Sequence, residues 1–302
     1  MKAVNQPVFV LGILPRSGTN FLYNLLMLHP DCAPPDPVWE DFLVSRLDLL
    51  AQYSDEVAAQ WDPRWGVDAR TQQHLDRSLG SGIARFLQER CSGFRVVAKT
   101  PRVDNIEHFF RFFPEAKLLI LVRDGRSIVE SAIKSFGWRR EPALHSLAEA
   151  ARTINAFRQK TAGFSERFRI VRYEDLWLDT ENQLYEIGEF LELDMETYDL
   201  QRALNLPLRG SSELKSGPAE SVHWDPMDRP DDFDPMSRFT HWSDARHFRY
   251  NRIAGPAMQA LGYEPKAVKN PGGLFSIQGL VLDAGWLLKS LLRPLYRRLR
   301  NS

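Results

Sequence analysis

The sequence predicts an α/β fold of three layers, α/β/α, with a central parallel sheet. Short apolar runs of strand length alternate along the chain with amphipathic segments of helical period. Strands are expected near residues 8–14, 94–98, 117–122 and 168–172. The run at 117–122 is apolar after its first residue, which is typical of a strand covered on both faces. The 302 residues are enough for one large domain with a substantial core.

The composition excludes several classes of function. Acidic and basic residues balance at 39 each, so no overall field indicates a nucleic-acid partner. Cys32 and Cys91 are the only cysteines, which make neither a disulfide framework nor a zinc site, and no metal is expected. The first strand begins within a few residues of Met1, which leaves no room for a cleavable signal or an N-terminal anchor. These observations predict a cytoplasmic protein.

The first strand–turn–helix unit, residues 8–28, is typical of a phosphate cradle. An apolar strand breaks at Pro15, and the polar turn 16–20 leads into residues that are apolar at helical spacing. Backbone N–H groups at the start of a helix, together with the helix dipole, favour an anion there. Gly18 permits a backbone conformation that a Cβ resists, and Arg16 adds a permanent cation. An ordinary turn with a surface arginine is the alternative.

This turn does not match the Walker A motif of nucleotide kinases and NTPases. Gly12 and Gly18 enclose five residues where that motif has four, and Thr19 follows without the motif's lysine. The pattern therefore lacks the usual support for a Mg²⁺-bridged triphosphate. It suits an anionic group at the 5′ end of a nucleotide that needs no metal.

Two further strand ends carry polar residues. Lys99 follows the strand expected at 94–98, at the edge of the sheet where open parallel sheets bind ligands. The strand at 117–122 runs into Arg123, and Ser131 follows about two helical turns later. Arg123 and Ser131 are placed to hold a second phosphate. A solvated lysine is the alternative at Lys99.

Two adjacent carboxylates, Glu40 and Asp41, follow the first helix after a proline-rich connection. They are placed to supply a general base at the rim of the site. They equally suit acids in the first turn of a helix that we expect to run through Leu50, where they would complement the helix dipole. The residues alone leave both interpretations open.

The second half of the chain continues the α/β pattern and ends differently. An amphipathic helix is expected at 184–191, a long polar loop at 206–236, and a last helix that ends near 261–263. The composition changes near residue 271, which divides the chain into a domain of residues 1–270 and a C-terminal amphipathic basic helix of residues 271–302.

This C-terminal segment has an apolar face and a basic face. Asp283, Lys289 and Pro294 interrupt its apolar run, so a membrane-spanning helix is not expected. Residues 274–300 suit an anionic membrane surface, or else packing on the chain's own domain.

Together these motifs resemble the sulfotransferases that use 3′-phosphoadenosine-5′-phosphosulfate (PAPS), and most of all the tyrosylprotein-sulfotransferase-like branch and its bacterial relatives. LPRSGTNFL is similar to the family's 5′-phosphosulfate loop, and LLILVRDGRSIVESAI is similar to its 3′-phosphate motif. VRYEDL, the cluster Ser237-Arg238-Phe239 and LGYEP match in the same order, so the resemblance covers roughly residues 7–266. It implies a P-loop NTPase-like sulfotransferase fold.

The resemblance assigns the first turn to the 5′-phosphosulfate, Arg123 with Ser131 to the 3′-phosphate, and three later residues to closure over the nucleotide. Lys99 would stabilise negative charge on the bridging oxygen as the S–O bond breaks, with Arg16 beside it in the catalytic set. The nucleotide-binding residues implied are Arg16, Ser17, Gly18, Thr19, Asn20, Arg123, Ser131, Tyr173, Ser237 and Arg238.

The implied reaction is an in-line displacement, for which the acceptor hydroxyl needs a general base. The small-molecule branch of the family uses a histidine soon after the lysine, and residues 100–104 contain none. The tyrosylprotein branch uses a glutamate after the first helix, but the register places Pro37 there. Glu40 is the nearest replacement and the predicted base, with Asp41 and Asp36 as fallbacks.

The sequence therefore predicts a PAPS-dependent sulfotransferase without a metal, whose acceptor is a hydroxyl of a metabolite, a lipid, a glycan or a protein tyrosine. Its expected location is cytoplasmic, and peripheral at the inner membrane surface if the C-terminal segment binds there. One alternative is a P-loop nucleotide kinase, against which the missing lysine counts. Another is a non-catalytic nucleotide-binding or membrane-docking module, for which the mismatch at Pro37 is the main support.

Overall fold

The structure is a computed structural model that describes residues 7–91, 95–207, 209, 234–268, 279 and 281–286. Most of the predicted polar loop and most of the C-terminal segment lie outside these residues.

In the part of the chain that the structure describes, five parallel strands form the central sheet in the order β2-β3-β1-β4-β5. β1 (Val8–Gly12) lies in the middle, between β3 (Arg95–Thr100) and β4 (Lys117–Val122). β5 (Phe168–Arg172) and β2 (Cys32–Ala33) form the two edges. The predicted α/β fold with a parallel sheet is confirmed. β2 was not predicted, since a strand of two residues carries no periodic signal.

Helices connect the strands and cover both faces of the sheet. They are α1 (Thr19–Leu26), α2 (Leu47–Ala58), α3 (Ala69–Glu89), α4 (Phe109–Phe112), α5 (Gly125–Phe136), α6 (Arg140–Lys160), α7 (Tyr173–Leu178), α8 (Thr180–Leu191), α9 (Leu200–Leu204), α10 (Asp244–Ile253) and α11 (Gly255–Gln259). The helices expected at 184–191 and before 261–263 correspond to α8 and to α10 with α11.

One sequence interpretation is wrong. Glu40 and Asp41 do not lie in the first turn of a helix, because α2 begins at Leu47 and residues 38–43 form neither helix nor strand. The carboxylates therefore have no helix dipole of their own to complement.

Side chains alternate along β1 and so enter two different cores. Phe9 and Leu11 pack among the side chains of α2 to α6, α10 and α11. Val8 and Val10 pack on the other face, against α1, α7 and α8. Each side chain is at most 1% exposed, and such complete burial contributes about 1.5–3 kcal/mol per residue. The result is the three-layer arrangement.

The order in which the strands follow one another along the chain reverses beside β1. The carboxyl ends of β1, β3 and β4 therefore border the crevice where such sheets bind ligands.

Part of the C-terminal segment packs on the domain. Residues 281–286 are helical. Asp283 Oδ1 accepts a hydrogen bond from Arg249 of α10 at 2.7 Å, and Trp286 stacks on His145 of α6 with 4.2 Å between the ring centroids. Among the described residues, no helix combines the length and the apolar character needed to cross a membrane.

Candidate active site

The loop after β1 makes a tight turn into α1. Arg16 (φ 78°) and Gly18 (φ 97°) both have a left-handed backbone conformation, which is uncommon for a residue with a Cβ such as arginine. The Ser17 amide donates to the carbonyl of Leu14 at 3.2 Å, which closes the turn. The start of α1 therefore faces the loop, in the geometry that favours an anion.

Glycine is required at two positions of this loop. A Cβ on Gly18 would lie 2.4 Å from the ring of Tyr173, and a Cβ on Gly12 would lie 2.4 Å from Ser17 Oγ. Tyr173 directly follows β5, so its ring covers the loop from a different strand end. The cradle thus has glycine backbone on one side and an aromatic ring on the other.

Three arginines from separate segments meet near Ser131. Arg16 Nε donates to Ser131 Oγ at 3.0 Å, and Arg238 Nη1 donates to the same oxygen at 2.8 Å. Arg123 donates to the Arg16 carbonyl at 3.2 Å, and its guanidinium lies 4.3 Å from the centre of the Tyr173 ring. The two predicted phosphate sites therefore share one cleft, and Arg16 connects them.

The arginine cluster, Arg16 with Arg123 and Arg238, is electrostatically suited to an anion. Burial lowers the pKa of Arg16 to about 10, and the like charges of Arg238 and Arg123 add to this effect. The positive charges of the three arginines repel one another, and an anion that binds among them relieves this repulsion and is thereby stabilised.

Buried polar atoms also fit an anionic ligand. Ser17 Oγ and Arg123 Nε are buried and have no hydrogen-bond partner among the described residues. A buried donor without a partner costs free energy, and phosphate or sulfate oxygens would satisfy both atoms. The residues present therefore fit a nucleotide that carries anionic groups at two positions.

Residues 234–238 lie against the start of α5. Arg123 donates to the carbonyl of Pro235, and Ser127 Oγ donates to the carbonyl of Met236 at 3.5 Å. Arg238 reaches the arginine cluster, whereas the Ser237 hydroxyl donates to the carbonyl of Asp234 at 3.1 Å. Arg238 therefore contacts Ser131, whereas the Ser237 hydroxyl is hydrogen-bonded within its own turn.

A cavity of about 490 Å³ adjoins the loop, lined by Asn20, Tyr23, Asn24, Trp39, Glu40, Lys99 and Arg209. Lys99 Nζ donates to Asn20 Oδ1 and lies 3.5 Å from Glu40 Oε1, and the lysine side chain is 7% exposed. Asn20 belongs to the first turn of α1, so it connects the anion loop to the cavity. The structure brings together the predicted base and the predicted catalytic lysine.

The Lys99 ammonium is held in a partly desolvated position. Burial lowers its pKa, and the negative charges of Glu40 and Asp41 offset part of this effect. The ring of Tyr23 lies 5.2 Å from the ammonium, a cation–π contact, and Lys99 pairs with Val10 in the middle of the sheet. Its backbone therefore has little freedom to move.

The three carboxylates differ in their surroundings. Glu40 lines the cavity beside Lys99. Asp41 Oδ1 accepts from the Thr100 hydroxyl at 3.2 Å, and Asp41 does not line the cavity. Asp36 is exposed and does not line the cavity. Of the three, Glu40 has the geometry of a base for a hydroxyl bound in the cavity.

Sequence reasoning missed the residue that supports the 3′-phosphate motif. Glu174 Oε1 accepts from the Asp124 amide at 2.8 Å, and Glu174 Oε2 accepts from the Tyr263 hydroxyl at 2.7 Å. Glu174 lies in VRYEDL and Tyr263 in LGYEP, so the motif matches were the available signal. Trp39 and Arg209 also line the cavity, and both lie outside helices and strands.

The fold, the cradle and the cationic cleft beside a cavity define a nucleotide-dependent group transferase. The model of the sulfotransferase family matches residues 7–197, and the chain belongs to this family. It is a PAPS-dependent sulfotransferase, which confirms the predicted family and enzyme class. Family membership favours this reading over the nucleotide kinase and the non-catalytic module.

Similar proteins agree with this assignment. Protein-tyrosine sulfotransferase 1 of Danio rerio is 23% identical over 92% of this chain and 78% of its own length. The protein-tyrosine sulfotransferase of Drosophila melanogaster is 24% identical over 87% of this chain, which spans 52% of that protein. A solved structure, the sulfotransferase domain from the curacin biosynthetic pathway, has a TM-score of 0.54 and 20% identity, and covers 87% of this chain and 99% of that domain. The structural likeness shows the fold.

Proposed function

We propose that this chain transfers a sulfuryl group from PAPS to an acceptor hydroxyl bound in the 490 Å³ cavity. The observation that carries the proposal is the pair Lys99 and Glu40, 3.5 Å apart at the cavity wall. Asn20 binds Lys99 and immediately follows the loop that fits an anion. A cation for the leaving group and a base for the attacking group thus lie beside the donor cradle.

The donor would be held by residues of both anion sites. The loop residues Ser17, Gly18 and Thr19 would hold the 5′-phosphosulfate. Arg123 and Ser131, with the participation of Arg16 and Arg238, would hold the 3′-phosphate. The contact of Arg16 with Ser131 at 3.0 Å supports a role for Arg16 at both groups.

When bound, PAPS supplies an electrophilic sulfur and a bisphosphate leaving group. Glu40 accepts the proton of the acceptor hydroxyl as the new O–S bond forms. The positive charge of Lys99 would stabilise the negative charge that develops on the leaving group as the old S–O bond breaks. The products are the sulfated acceptor and adenosine 3′,5′-bisphosphate (PAP), and the proton remains on Glu40 until water removes it.

The acceptor is expected to be small, or a side chain that enters the cavity. A volume of 490 Å³ lies in the range that small-molecule ligands fill. The names of the Danio and Drosophila relatives suggest a tyrosine hydroxyl as one candidate. A metabolite, a lipid and a glycan hydroxyl remain the others.

Radiolabelled PAPS tests the proposal with four acceptors: 2-naphthol, a tyrosine peptide, a sterol and a monosaccharide. We expect labelled product from at least one, and a loss of about a thousandfold in turnover for Glu40→Gln and for Lys99→Met, since each removes one catalytic group. Glu56→Gln is the matched control, because Glu56 is exposed on α2. Full activity of Glu40→Gln would exclude Glu40 as the base.

We also propose that the C-terminal segment lies at an anionic membrane surface while its residues 281–286 pack on the domain. In support, Arg249 and Arg252 hold Asp283 at 2.7 and 2.9 Å, whereas Val281 and Leu282 are exposed. Cosedimentation with vesicles of anionic lipid tests this. Equal binding by the full chain and by a chain truncated after Gly273 would contradict it.

A further inference from the structure

The segment that carries Glu40 is fastened to the end of β3, the strand that carries Lys99. The Asp41 amide donates to the carbonyl of Lys99 at 3.2 Å. The Phe42 amide donates to Thr100 Oγ1 at 3.1 Å, and this hydroxyl donates to Asp41 Oδ1 at 3.2 Å. We call these contacts the Asp41–Thr100 clamp. They fix the backbone on the C-terminal side of Glu40 against the backbone of Lys99.

Thr100 is the buried part of the clamp. Thr100 has no exposed surface, and its hydroxyl both donates and accepts. Asp41 Oδ1 also accepts from the Leu43 amide at 2.8 Å. Phe42, between them, has φ 52°, a left-handed conformation that persists in a non-glycine residue when its surroundings impose it. The chain therefore bends sharply here because the clamp holds both sides of the bend.

Glu40 depends on this clamp for its position. Residues 38–43 form neither helix nor strand, and the Glu40 side chain is 31% exposed. A general base must lie within about 2.6–3.2 Å of the proton that it accepts, so a freely moving segment would not serve.

We propose that Asp41 and Thr100 are positioning residues for sulfuryl transfer, which hold Glu40 opposite Lys99 and the acceptor hydroxyl. This inference rests on the proposed roles of Glu40 and Lys99. Asp41 acts as a hydrogen-bond acceptor through Oδ1, a role that an amide oxygen also fills. This distinguishes it from a general base, which must take up a proton.

Paired substitutions test the two residues. Asp41→Ala and Thr100→Val remove the clamp oxygens, and we expect kcat to fall about a hundredfold, the effect of a displacement near 1 Å. Asp41→Asn and Thr100→Ser keep an acceptor oxygen and a hydroxyl, and we expect them to retain kcat within about threefold. The KM for PAPS should change little in all four. Thr161→Val is the matched control, because it removes a buried hydroxyl that bonds to the Phe157 carbonyl at the end of α6.

A second measurement does not depend on the acceptor. Crystal structures of Asp41→Ala and Thr100→Val with PAP should show Glu40 Oε1 more than about 5 Å from Lys99 Nζ, beyond the reach of an ion pair. Glu40 in its original place, or an Asp41→Asn enzyme as slow as Asp41→Ala, would overturn the inference. A wild-type enzyme that sulfates no acceptor would instead refute the proposed function, and the crystal structures would still decide the positioning.

Discussion

Arg16 Nε donates to Ser131 Oγ across 3.0 Å, although 115 positions separate the two residues in the chain. Arg16 belongs to the loop after β1, and Ser131 belongs to the helix after β4. Because β1 and β4 are neighbours in a parallel sheet, their carboxyl ends lie side by side. The contact places the two predicted anion sites in one cleft, which suits a donor with phosphate groups at two positions.

We expect Ser131→Ala to weaken PAP binding about tenfold, or about 1.4 kcal/mol, because the oxygen that orients Arg16 and Arg238 is lost. Titration calorimetry with PAP and with adenosine 5′-monophosphate measures this loss. The effect should be confined to PAP, which carries the 3′-phosphate. Ser135→Ala is the control, since Ser135 is buried one turn later on the same helix. An equal loss for both nucleotides would show that Ser131 does not act at the 3′-phosphate.

Gly18→Ala should reduce PAP affinity by more than tenfold. The new Cβ would lie 2.4 Å from the Tyr173 ring, at a position whose φ of 97° already disfavours a side chain. The ring would have to leave the cradle. Gly137→Ala is the matched control, because Gly137 also has a left-handed φ of 64° and no atom within 4 Å of the added Cβ. It should cost about 1 kcal/mol of stability and leave PAP binding unchanged. If the two variants bind PAP equally, the cradle does not include Gly18.

The pH dependence of turnover should report Lys99. Burial lowers its pKa, so the ammonium loses its proton at a lower pH than an ordinary lysine with its value of 10.5. Because the positive charge is needed for the leaving group, kcat should fall as pH rises through this lowered pKa. Lys99→Arg keeps a charge that does not titrate in this range, so the alkaline fall should disappear at a reduced overall rate. The same alkaline fall in Lys99→Arg would assign it to another group.

The sequence was most informative about the strands of the sheet and about the motif residues that directly follow them. β4 is apolar over five consecutive residues, Leu118 to Val122, and its position and the Arg123 that follows were both predictable. The pairing of Lys99 with Asn20 and Glu40 was not, because it depends on how α1 and residues 38–43 pack against β3. Contacts of that kind have no local signature.

Asp41 illustrates the same limit. In the sequence it is adjacent to Glu40 and also a carboxylate, so it was a fallback to Glu40 as the predicted base. In the structure, burial raises the pKa of Asp41, and bonds from the Leu43 amide and the Thr100 hydroxyl offset part of this effect. The surroundings that distinguish Asp41 from Glu40 include Thr100, which is 59 positions away from Asp41 in the chain.

Tyr263→Phe should destabilise the protein and loosen the 3′ site together. Tyr263 is 5% exposed and donates to Glu174 Oε2 at 2.7 Å, while the other oxygen of Glu174 holds the Asp124 amide at the start of α5. Loss of a hydrogen bond to a charged group costs about 1.5–3 kcal/mol, which denaturant unfolding measures. Because α5 carries Ser131, PAP affinity should fall as well, by a few fold.

The control is Tyr185→Phe, on the exposed side of α8, which should change the free energy of unfolding by less than about 0.5 kcal/mol. A Tyr263→Phe protein with lowered stability and unchanged PAP affinity would show that Glu174 supports the fold without supporting the site.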